Sequence, residues 1–181
     1  FTKAGYDVWK PYEEEKEIQT KQLGIYKVSC FPVPHDDTPC RGFLIQCDNE
    51  KLLYATDFEY ISFSFKNHKI NHLLVECNYI PEMVQNDAEN RNDVIRGHAS
   101  LNTTIDIIKD LKTDYLYNVI LCHLSNDNSD IDSIVYPKSS PVMHFAPLNL
   151  LILFIKSIFI ILFFMITKRQ FLFRLYIRGV F

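Results

Sequence analysis

From Gly24 onward the apolar residues of this 181-residue chain fall in short blocks whose spacing and boundaries predict a series of strands. Ile25–Val33, Gly42–Cys47 and Lys51–Thr56 come first. The last two are separated by Asp48-Asn49-Glu50, a polar triplet suited to a hairpin turn. His72–Cys77 (HLLVEC) is an apolar run between polar flanks, the pattern of a strand covered on both faces. A helix with a definite start follows: Ser100 is placed to cap it, and Leu101, Thr104 or Ile105, Ile108 and Leu111 recur at helical spacing. Asn118–Cys122 is one more apolar strand, and the NDNSD stretch behind it reads as a loop. Strands first and strand–helix–strand afterwards predict an α/β protein with helices covering a sheet. Residues 1–22 form a polar lead-in whose acidic cluster (Glu13, Glu14, Glu15, Glu17) reads as solvated surface, 23–140 the domain, and 141–181 a hydrophobic tail.

The tail changes the picture. Leu148–Ile166 is nineteen residues with one charge, Lys156, and Lys168-Arg169 follow it. That length approaches the ~20 residues a helix needs to cross a bilayer. Lys156 would cost about 2.5–3.5 kcal/mol at the bilayer centre, against many Leu, Ile and Phe that favour insertion. The expectation is a C-terminal hydrophobic helix, a possible transmembrane span over 148–166 with its C-terminal end in the cytoplasm. The other reading is a tail foreign to the domain, since AT-rich DNA read out of frame yields such runs of Phe, Ile, Leu and Lys.

Charge divides at the same place. Residues 1–147 hold all 22 acids and 14 of the 19 Lys and Arg, a net charge of −8, while the last 34 residues carry five basics and no acid. No dense basic run marks a strong nucleic-acid patch in the acidic part. Five cysteines without a CxxC spacing, several inside apolar runs, fit a reduced, cytoplasmic setting, with membrane association through the tail as the alternative. No secretory signal opens the chain, and Phe1 in place of Met predicts a processed product or a fragment.

His35, Asp57 and His123 each follow a predicted strand and each can bind a metal. Singly they have plain readings: His35 as a loop residue held extended by Pro34, Asp57 as a turn or cap residue, His123 as a strand-end histidine. A carboxylate buried behind Leu52–Thr56 would need a partner, and a metal is a good one. Glu76 and Asn78 end a strand on what should be the same rim, suited to orienting ligands, touching substrate or forming a turn. His98 precedes the helix cap, where an anion would be attracted, or it holds the loop. Ser125 and Asn126 are placed to order the loop after His123. His68 and His72 stand four apart, but His72 opens a strand, so they do not share a helix face; His144 is given no role.

Taken in order, F-P-V-P-H-D-D…G-F-L-I, L-L-Y-A-T-D-F, L-L-V-E-C-N-Y, R-G-H-A-S-L-N and V-I-L-C-H-L-S-N-D-N resemble the metallo-β-lactamase-fold hydrolases. The nearest likeness is to the phage and bacterial branch related to the YycJ/WalJ proteins, over about Gly24 to Ser133. The resemblance implies a partial αββα metallo-β-lactamase sandwich, the C-terminal half, with an exposed sheet face where the other half packs. It implies His35, Asp57 and His123 as metal ligands. Asp57 would be the catalytic carboxylate bridging two ions, and Glu76, Asn78, His98 and Ser125 would contact substrate or support the ligands. The cofactor implied is a divalent metal, zinc, or manganese where oxygen ligands dominate. Two such ions lower the pKa of a water and hold a phosphoryl oxygen, on a phosphodiester or nucleic-acid-like substrate. The family's signature, His-x-His-x-Asp-His, supplies most of its ligands and should lie upstream of His35, yet none of the six histidines forms it. The expectation is therefore a metal-dependent hydrolase, phosphodiesterase- or nuclease-like, incomplete as this chain. The alternative is a non-catalytic truncated or membrane-tethered interaction protein.

Overall fold

In the computed structural model, which describes residues 9–11, 17–85, 91–135 and 149–152, seven strands pair in chain order into one sheet. They are β1 (Gln19–Leu23), β2 (Tyr26–Val33), β3 (Cys40–Cys47), β4 (Glu50–Ala55), β5 (His72–Glu76), β6 (Asn118–Cys122) and β7 (Asn149–Ile152). Strands β1 to β4 form an antiparallel meander, turning at Gly24 (φ +60°) and Asp48 (φ +52°), where the backbone must enter the left-handed region. Strands β4 to β7 pair in parallel, which requires crossovers. Helices α1 (Arg91–Gly97) and α2 (Leu101–Leu111) lie between β5 and β6, and α3 (Ile131–Val135) follows β6.

The sheet alternates, and each face has its own apolar set. One face presents Phe31, Val33, Leu53, Ala55, Leu73, Val75, Val119 and Leu121 to the buried side of α2, formed by Leu101, Ile105, Ile108 and Leu111. Burial of each such aliphatic side chain contributes about 1.5–3 kcal/mol. Helix α2 begins where Ser100 Oγ accepts the Thr103 N–H at 3.1 Å, and it ends at Lys112, whose backbone is extended. Thr104, fully buried in this helix, donates its hydroxyl to Glu76 O at 2.7 Å and ties α2 to the end of β5. The opposite face was expected to be exposed and is not: Leu52, Leu74, Ile120 and Cys122 are buried there, with half-buried Ile45 and Tyr54 packed against them. These side chains form a second apolar cluster.

Two segments differ from the sequence reading. Gln19–Leu23, which begins inside the polar lead-in, is an edge strand: only Gln19 is buried, and its amide donates to Pro11 O at 2.9 Å. An edge strand needs backbone partners on one side and no apolar face, so it left no hydrophobic signal. Asn149–Ile152, at the head of the expected tail helix, is instead a strand that pairs with β6. A four-residue apolar run is ambiguous between the two states until a partner strand decides it. The remainder of that tail, 153–181, lies outside the described residues, and among the described residues no helix is long and apolar enough to cross a membrane.

Candidate metal centre

Strand direction assembles the site. β2 and β4 are each antiparallel to β3, and β4, β5 and β6 are mutually parallel, so all four end on one rim. His35, Asp57, Glu76 and His123 stand at those ends or just past them, the edge at which open α/β sheets bind ligands. Asp57 (φ +56°) and His123 (φ +57°) both occupy the left-handed region, as does Asp36 (φ +45°) beside His35. That conformation costs a non-glycine residue about 1–3 kcal/mol and gathers at functional sites.

Glu76 is the centre of the arrangement, with no solvent exposure. Its Oε1 lies 2.7 Å from His98 Nδ1 and 2.9 Å from His123 Nδ1, and its Oε2 accepts the N–H groups of Phe58 at 3.1 Å and Ala99 at 3.5 Å. Burial alone would raise this carboxyl, but the hydrogen bonds and charge of His123 and His98 outweigh burial and hold it below the usual carboxylate range. An ionised Glu76 that accepts from His98 Nδ1 fixes that ring in the tautomer that leaves Nε2 with a lone pair, while His123 Nδ1 lies at ion-pair distance from the same oxygen. Asp57 Oδ1 is 3.3 Å from His123 Nδ1. Asp57, His98 and His123 each offer a ligand atom within 4.8 Å of the others, the one such group of three donors found among the described residues.

His35 stands beside this group. Its Nδ1 is 2.5 Å from Gly97 O, and its ring meets that of His98 edge-on with centroids 5.1 Å apart; His98 and His123 repeat that spacing and geometry. The three imidazoles make a row with His98 in the middle. Gly97 is a glycine because the chain passes so close: a Cβ there would lie 2.7 Å from Asp36 Oδ2 and 3.1 Å from His35 Nδ1.

Asn78 and Ser125 act on backbone. Asn78 Nδ2 donates to His123 O at 2.8 Å, its N–H to Ala99 O at 2.9 Å, and its O accepts the Ser125 N–H at 2.8 Å. Ser125 Oγ accepts the N–H groups of Asp127 at 3.3 Å and Asn128 at 3.2 Å. Exposed His68 lies in the β4–β5 loop, His72 is at the opposite end of β5, and His144 is outside the described residues.

The place of His98 among the donors is what the sequence reading missed, and Gly97 before it was the only local sign of a crowded turn. The donor set of two imidazoles and a carboxylate, steered by a buried carboxylate, fits a divalent ion such as zinc. The neighbouring thiols do not add to it: burial pushes Cys77 up to about 12 and raises Cys122 as well, so both stay protonated.

No protein-family profile and no curated protein matches the chain. Among solved structures it is similar to the metallo-β-lactamase fold protein YhfI from Bacillus subtilis, with TM-score 0.53 and 18% identity over 75% of this chain and 49% of that one. It also matches a diphosphatase of the PhnP family (TM-score 0.48, 16% identity, 75% of this chain and 43% of that one). Zinc-bound PqqB from Methylobacterium extorquens is a third match (TM-score 0.47, 14% identity, 75% and 51%). The chain has the α/β architecture of the metallo-β-lactamase fold and spans about half the length of YhfI.

Proposed function

We propose that the chain carries part of the metal centre of a metal-dependent hydrolase, phosphodiesterase- or nuclease-like, of the YycJ/WalJ-like branch. Zinc is the favoured ion, with manganese as the alternative. The observation that carries this reading is the convergence of Asp57, His98 and His123 around buried Glu76 at the ends of parallel strands. A divalent ion bound there would supply Lewis acidity toward a phosphoryl oxygen. In this reading Asp57 and His123 hold it, with His35 alongside by the sequence resemblance, and Glu76 keeps His98 and His123 in register. Asn78 and Ser125 set the loop that carries His123. The substrate class, a phosphodiester or nucleic-acid-like molecule, rests on the resemblance, and a cytoplasmic setting on the cysteine pattern.

The absence of a His-x-His-x-Asp-His signature from the 181 residues favours a second reading, a non-catalytic interaction protein. One experiment separates them: metal content and hydrolysis of bis(p-nitrophenyl) phosphate, for this chain and for a version extended upstream with the signature. The extended protein is expected to retain a divalent ion and turn the ester over, and the unextended chain to show little turnover. An extended protein that retains no ion sinks the hydrolase reading. One that holds an ion and leaves the ester intact supports the second.

A further inference from the structure

We infer that residues 153–166, the apolar run behind β7, fold back onto the second face of the sheet and cover it, so that the tail completes the core and does not enter a bilayer. The inference is independent of the metal-centre reading. The cluster on that face is made by Ile45 of β3, Leu52 and Tyr54 of β4, Leu74 of β5, and Ile120 and Cys122 of β6. Among the described residues every member is a strand residue, while the buried apolar side chains of α2, α3 and the β4–β5 loop join the first cluster. Neighbours within a sheet shield a side chain from the sides only. Yet Leu52, Leu74, Ile120 and Cys122 are no more than 5% exposed. Such a face needs another element packed on it.

The chain itself supplies that element. β7 pairs in parallel with β6 and sets Ile152 beside Leu121, one residue before Cys122 of the cluster, so the tail leaves the sheet at the rim end of β6. Pairing of 149–152 also takes those residues out of the nineteen-residue apolar run. It leaves 153–166 behind it, fourteen residues whose only polar side chains are Lys156 and Ser157. As a helix that segment would be about 21 Å long at 1.5 Å per residue, too short for the ~30 Å hydrocarbon core of a bilayer and typical of a buried helix. It is long enough for the cluster, which spans β3 to β6, three strand spacings or about 14 Å. Lys156 would fall in its first turn, at the rim, where a long side chain reaches water, and Lys168 and Arg169 lie just past its end. Charge agrees: the last 34 residues sum to +5 and the first 147 to −8, so docking brings opposite charges together.

The full chain is the test object. Photoreactive benzoylphenylalanine replaces Phe154, Phe159 or Phe164 singly, three positions that would face different sides of a helix. Irradiation and peptide mapping are expected to join the tail to Ile45, Leu52, Tyr54, Leu74 or Ile120 of the same chain. Vesicles of phosphatidylcholine and phosphatidylglycerol should neither float the protein nor take the cross-link. Links to lipid, links between copies, links only to the first cluster, or no link from any of the three positions each overturn the inference. A second measurement reads the cover through a thiol. Phe159→Asp combined with Phe164→Asp should speed alkylation of Cys122 about tenfold or more, equivalent to ~1.4 kcal/mol of lost docking. Cys77, buried in the first cluster, is the internal control and should keep its rate. An unchanged Cys122, or a gain shared equally by Cys77, overturns the inference.

Discussion

Glu76 shows how much one buried carboxylate can organise. It accepts three hydrogen bonds, from the backbone N–H groups of Phe58 and Ala99 and from the His98 ring, and sits at ion-pair distance from His123, so it joins three separate segments. Glu76→Gln keeps the shape but offers one oxygen where two are needed, so its NH₂ group must face either the imidazoles or the N–H groups of Phe58 and Ala99. Zinc affinity measured by calorimetry should fall about 10–100-fold, with folding retained. Glu76→Ala is harsher, because each buried donor left without a partner costs about 1–3 kcal/mol. A loss of about 3 kcal/mol or more in urea-unfolding stability is expected, and a loss under about 1 kcal/mol would show that water substitutes for the carboxylate. At this scale the sequence was partly legible. Asp57 and His123 announce themselves as metal-binding types behind apolar strands, and Glu76 as a polar end to a buried one. The pairing of Glu76 with His98 was hidden, because nothing local to either residue specifies a contact across 22 positions.

Elements tell a similar story. Helix α2 was readable to the residue because its cap and apolar stripe are both local signals. Ser100→Ala should cost about 1 kcal/mol by loss of the cap bond to Thr103, seen as a lowered melting temperature. Strand β1 was not readable, since its stability comes from pairing with β2 and its side chains are polar. Between β2 and β3 the fit is closer than any pattern reveals. Phe31 faces Gly42 in register, its ring also meeting Phe63 and Phe65, and a Cβ on Gly42 would lie 2.4 Å from Phe31 Cζ. Gly42→Ala should therefore destabilise by about 1–3 kcal/mol. Phe31→Leu in the same chain should recover part of that loss, and strict additivity of the two changes in urea unfolding would refute the clash.

Across the whole molecule, β5 joins two polar clusters through an apolar middle, with Glu76 at the rim and His72 at the far end. His72 is buried. Asn118 Nδ2 donates to its Nδ1 at 2.9 Å, its Nε2 donates to Glu50 Oε2 at 3.0 Å, and the Tyr117 ring meets it edge-on with its hydroxyl on Glu50. This network satisfies the neutral ring: a second proton on Nδ1 would confront the Asn118 amide. Burial lowers the His72 pKa, and Glu50 opposes that only in part. A base whose folded pKa lies below its unfolded value contributes stability that is complete above the unfolded value, about 6.5. That stability is lost as pH falls from there toward the folded pKa. The urea midpoint of the metal-free protein should therefore drop between about pH 7.5 and pH 5.5, and His72→Gln should flatten that slope. Glu76 shifts stability in the same direction, but its pKa is depressed from the ordinary carboxyl value of 4.5, so its loss comes at lower pH and does not confound the window. A slope unchanged in His72→Gln would overturn the assignment to His72.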